Sequence, residues 1–196
     1  MTPEQFQSFW SHAYPRTVPI SHYFRNDYPD RWFRVHSLPE SKRYADTDEE
    51  WTKLLSRQNE IITDLIGENA KALLVTGEYS RGEQIPFTTD EEEVFKPYQF
   101  TRISNIDLFE LNPEDYDEHE VYRPAYAEIV WGSNNHNELL TQIAKANIHA
   151  FILSVEKDIL VAPYDGGVDF ILGDEETRNF YKKKYKDWLS SRKDGL

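Results

Sequence analysis

Asp165-Gly166-Gly167 stands between two short apolar runs, residues 158–162 and Val168-Asp169-Phe170-Ile171-Leu172. Asp-Gly at such a junction is a hairpin signal, because a tight reversal needs residues that tolerate unusual backbone angles. A hairpin forces its two strands to run antiparallel, which excludes an all-parallel α/β sheet. The other segments then have to fit around an antiparallel core.

Helices and strands both show in the pattern. Thr2-Pro3-Glu4-Gln5 reads as a capped helix start, with Phe6, Phe9, Trp10 and Ala13 on one stripe. Thr47-Asp48-Glu49-Glu50 reads as a second capping box. It opens a helix whose apolar face is Trp51, Leu54, Leu55, Ile61, Ile62, Leu65 and Ile66, stopped by Gly67. Asn135-His136-Asn137-Glu138 precedes a third helix with Leu139, Leu140, Ile143 and Ala144 inward. Asp174 starts a fourth, with an aromatic stripe of Phe180, Tyr181, Tyr185, Trp188 and Leu189. Strands are expected at 31–36, 72–76, 100–103, 125–131, 150–155, 158–162 and 168–172. No repeat or linker intervenes. The fold class is α+β over residues 1–196, one domain with a mostly antiparallel or mixed sheet packed by about four helices.

The chain has 196 residues and no cysteine, so thiolate metal sites, disulfides and cysteine nucleophiles are excluded. The opening residues lack a signal-peptide pattern, and no apolar run approaches the roughly 20 residues of a membrane span. A cytoplasmic protein is expected, with no cofactor and no structural metal. The formal net charge is −13, a field that repels nucleic acid and anionic membranes and speeds encounter with a basic protein. The charge is concentrated between positions 90 and 120, where eleven acids face only Lys96 and Arg102, a net −9. Asp90, Glu91, Glu92, Glu93, Asp115, Asp117 and Glu118 are the candidate docking residues.

Two further clusters carry chemistry. Arg31-Trp32-Phe33-Arg34-Val35-His36 alternates, so Arg34 and His36 share the face opposite Phe33 and Val35. The run continues through Ser37, Ser41, Lys42 and Arg43, so two arginines, a histidine, two hydroxyls and a Lys-Arg pair lie within thirteen residues. Arginine forks onto carboxylate or phosphate, and histidine titrates near neutrality. Tyr164, Asp165 and Asp169 flank the hairpin, whose glycines permit a left-handed turn and close approach of a ligand. Arg31, Arg34, His36, Tyr164, Asp165 and Asp169 are the candidate ligand residues. The plainer reading is a strand and a hairpin tied by Arg34 and one of the two aspartates. If Asp115-Tyr116-Asp117-Glu118-His119-Glu120 is extended, Asp115, Asp117 and His119 align as a weak cation site; a solvated acidic loop explains the run as well. There is no phosphate loop, dinucleotide fingerprint or hydrolase elbow.

Pro163-Tyr164-Asp165-Gly166-Gly167-Val168-Asp169, followed by Lys184-Tyr185-Lys186-Asp187-Trp188-Leu189-Ser190-Ser191 and Gly195-Leu196, resembles the C-terminal signature of an uncharacterised bacterial family. Residues 30–44 resemble that family's N-terminal signature. The resemblance implies a bacterial cytoplasmic protein whose signature segments meet in space, and it brings no activity. In size, acidity and fold class the chain is also similar to small acidic immunity proteins that neutralise toxins. The leading expectation is therefore a non-catalytic acidic protein that docks a basic protein. The alternative is an enzyme or receptor for a small anionic ligand.

Overall fold

The computed structural model describes residues 1–81, 93–190 and 192. Its centre is an eight-stranded sheet: β1 (Trp32–His36), β2 (Lys71–Ser80), β3 (Thr101–Arg102), β4 (Ile106–Asp107), β5 (Val121–Val130), β6 (Ala150–Ser154), β7 (Ile159–Tyr164) and β8 (Gly167–Ile171). The strand order is β1-β8-β7-β6-β2-β5-β3, with β4 also paired to β5. Every pairing is antiparallel. Four helices of two or more turns pack on the sheet: α1 (Pro3–Ala13), α3 (Asp48–Ile66), α5 (Asn137–Ala144) and α6 (Glu175–Lys184). One-turn helices α2 (Phe24–Asp27) and α4 (Leu108–Leu111) are also present among the described residues.

Both faces of the sheet are covered. On one, Ile61, Ile62 and Leu65 of α3 and Leu139, Leu140 and Ile143 of α5 pack on Leu74, Ile152, Val161 and Phe170. On the other, Phe6 and Trp10 of α1 and Phe24 of α2 meet Val75, Tyr126, Phe151 and Leu160. Strand β6 is buried along its whole length for that reason. An apolar run without alternation is what a strand covered on both faces requires.

Local signals placed most elements. Thr2 and Gln5 form the reciprocal capping box of α1. Asp174 caps α6 by accepting from Thr177 N at 2.7 Å. Gly67 closes α3 at φ 98°, a left-handed angle that favours glycine.

Several expectations need correction. The capping box of α3 is only half formed. Thr47 accepts from Glu50 N, but the Glu50 carboxylate turns to Asp46 N and Lys42. The buried face of α3 is rotated so that Gln58 and Asn59 are inside, while Trp51 and Leu55 are only partly covered. His136 precedes α5 without a side-chain cap. In the last stripe Tyr185 is buried, but Phe180 is 62% exposed and faces solvent. Neither Gly166 nor Gly167 is left-handed. Glycine is needed there for space: a Cβ on Gly167 would lie 2.0 Å from the Val35 carbonyl oxygen, and one on Gly166 would lie 2.8 Å from the Tyr164 ring. The segment after residue 103 is not a simple loop either, since it holds β4 and α4.

Candidate functional site

Strands β1 and β8 pair with Arg34 opposite Asp169 and His36 opposite Gly167. The Arg34 guanidinium donates from Nε to Asp169 Oδ1 and from Nη2 to Oδ2, both at 2.7 Å. That is the two-pronged geometry in which arginine binds a carboxylate most firmly. Trp32, one pleat along, donates its indole N–H to Asp169 Oδ1 at 3.0 Å. The guanidinium also lies over the Tyr164 ring, 4.4 Å from its centroid. The side chains of Arg34 and Asp169 are only 11% and 14% exposed. Burial works to lower the Arg34 pKa, but the hydrogen bonds and charge of Asp169 outweigh it and raise the value. Burial pushes the Tyr164 phenol up to about 12.

Asp165 has a different partner. Its Oδ2 accepts from Arg43 Nε at 2.8 Å and from the Tyr44 hydroxyl at 3.0 Å. Ser37 N donates to the Gly166 carbonyl at 3.2 Å. Each aspartate of the hairpin is thus paired with an arginine of the same chain. Arg43 closes the basic run that begins at Arg31, whereas Tyr44, just beyond it, carries no pattern that singles it out. Nothing in local spacing says which of two nearby arginines meets which aspartate.

Arg31 stands apart from this group. It donates to the carbonyl oxygens of Leu172 and, at 3.2 Å, Ala13, and pairs with Asp158 Oδ2 at 2.9 Å. Its guanidinium lies 5.3 Å from the ring centroids of both Tyr14 and Tyr28. It joins the end of α1 to the β6–β7 turn and the end of β8. His36 is 8% exposed, and neither of its ring nitrogens has a hydrogen-bond partner. Burial first, and then the neighbouring Arg34 charge, lower its pKa. A cleft of about 380 Å³ includes His36 but neither Arg34 nor Asp165 in its lining. An anion at the hairpin would have to displace Asp169 from Arg34.

Asp90, Glu91 and Glu92 lie outside the described residues. Glu93 is exposed and paired with Lys96. Asp115, Asp117 and Glu118 are exposed on a segment of turns. Asp115 accepts from Asn112 Nδ2 at 2.6 Å, and Asp117 stands 3.9 Å from Arg81. The extended arrangement of Asp115, Asp117 and His119 is not adopted. The backbone turns at Asp115 and Glu120, and His119 sits at φ 74°. Among the described residues no group of three or more metal-ligating side chains is placed to hold a metal. No described helix is long and apolar enough to cross a membrane.

Fold and site together define an α+β protein built on an antiparallel sheet, in which two ionic clamps fasten β1 and the segment after it to the β7–β8 hairpin. The chain belongs to the family described as Domain of unknown function (DUF3885), whose model matches residues 20–193. No curated protein and no solved structure matches the chain.

Proposed function

We propose that the chain is a non-catalytic binding protein that docks a basic protein through its acidic side, in the manner of a toxin-neutralising protein. The observation that carries this reading is the fate of the signature arginines. Arg31, Arg34 and Arg43 each give their guanidinium to a carboxylate of the same chain, at 2.9, 2.7 and 2.8 Å. The cationic cluster that would draw in a small anion is thus neutralised from within. Asp115, Asp117 and Glu118, by contrast, project from a turn segment into solvent. Exposed acids on a chain of net charge −13 steer a basic partner over a distance of about a Debye length.

The test is affinity capture from a lysate of the native host, comparing the wild-type chain with the triple variant Asp115→Lys/Asp117→Lys/Glu118→Lys. A basic protein retained by the wild type at low salt should be lost both in the variant and at high salt. Retention of the same proteins by both chains would contradict the reading.

A further inference from the structure

Arg57 is held differently from the arginines of the clamps. It lies on α3, and its Nη1 donates to the His36 carbonyl at 3.2 Å. Its guanidinium stands 5.0 Å from the centroid of the Trp188 ring. Among the described residues it meets no carboxylate within ion-pair distance, whereas Arg31, Arg34 and Arg43 each do. Partial burial lowers its pKa, with only the more distant charge of Glu60 opposing that effect. A cation drawn partly out of water without a counter-charge is unfavourable unless something else offsets it.

Around this group opens the cleft of about 380 Å³, a size suited to a ligand of one small ring or a branched chain. Leu38, Pro39, Trp188 and Leu189 give it apolar walls, and His36, Glu40, Ser41 and Asp187 are its other polar members. The walls come from the two stretches that carry the family resemblance, brought together only by the tertiary fold. One wall is strained. Glu40 and Ser41 adopt φ of 56° and 57° in succession, left-handed angles that residues with side chains avoid. Strain of this kind concentrates at ligand clamps.

We propose that this cleft binds a small organic carboxylate. The carboxylate accepts N–H groups of Arg57, and an apolar body lies against Leu38, Pro39, Trp188 and Leu189. Arginine has five N–H donors, and the His36 carbonyl takes one of them. A doubly charged phosphate suits the cleft less well. It offers one cation, and the carboxylates of Asp187 and Glu40 also line it. The cleft excludes Arg34 and Asp165, so this inference is independent of acidic docking.

Isothermal titration of the full chain with phenylacetate, benzoate and isovalerate tests it, with phenylacetamide and inorganic phosphate as comparators. At least one carboxylate should bind with one-to-one stoichiometry. Phenylacetamide and phosphate should bind about tenfold more weakly or not at all, the difference one charge-assisted contact makes. Arg57→Met should weaken the carboxylate about tenfold while leaving the melting temperature near that of the wild type. If Arg57→Met fails to fold, Arg57→Lys replaces it; it keeps the charge without the fork and should bind measurably more weakly. No saturable heat with any of the three carboxylates up to about 10 mM would overturn the proposal. So would phosphate binding as tightly as the best carboxylate, or an affinity unchanged in the Arg57 variant.

Discussion

Arg34 and Asp169 sit opposite each other across two strands, and almost no water reaches either. Removing one partner of such a pair strands the other in a low-dielectric setting, at a cost of about 3–5 kcal/mol. Arg34→Ala should therefore lower stability by roughly that amount, while Arg34→Met combined with Asp169→Leu should recover most of it. Equal denaturation midpoints for wild type and Arg34→Ala would show that the clamp contributes nothing. His36, next along the same face, adds a pH dependence. Burial and Arg34 hold its folded pKa below the ordinary value. The unfolded chain thus takes up a proton before the folded one does. Stability should be unaffected by this group above about pH 6.5 and fall as pH drops below it. Urea midpoints measured from about pH 7.5 down to pH 5.5 should show that slope in the wild type and lose it in His36→Leu. A wild-type midpoint constant over this range would contradict it.

At the scale of elements, α3 gives the sharpest comparison. Leu54 is 1% exposed, while Leu55 beside it is only partly covered. Leu54→Ala should cost about 2–5 kcal/mol as a core truncation, and Leu55→Ala clearly less. The reverse ranking in chemical denaturation would mean that the helix is phased otherwise. Sequence periodicity named both leucines and could not separate them. Gln58 and Asn59 broke the apolar pattern, yet both are buried because each has polar partners brought by the fold. Gln58 donates to Ser37 Oγ at 2.9 Å, and Asn59 donates to Asn137 Oδ1 and accepts from Asn134 N, each at 2.7 Å. The same limit explains the site. Alternation in β1 correctly put Arg34 on the face opposite Phe33, and the hairpin was legible from Asp165-Gly166. That β1 lies beside β8, more than 130 positions along the chain, was visible only as a resemblance shared by the two segments. Arg57 carried no local signal, because its cleft exists only where α3, the end of β1 and the Lys186–Trp188 turn converge.

Across the whole molecule, the sheet ends in short strands: β1 has five residues, and β3 and β4 have two each. On its outer side β5 pairs with β3 and β4, among the described residues, only at Val121, Tyr122, Ala125 and Tyr126. Beyond the sheet, the net charge of −13 is the dominant long-range feature. Reversing three acids at positions 115, 117 and 118 should barely alter stability, since exposed substitutions usually matter by less than about 0.5 kcal/mol. Its effect belongs in the rate of encounter. The most direct test is the association rate constant with the captured basic partner, measured across ionic strength for the wild type and for Asp115→Lys/Asp117→Lys/Glu118→Lys. At low salt the variant should associate about tenfold more slowly or worse, and the two rates should converge as salt screens the field. Equal rates at low salt would contradict acidic docking.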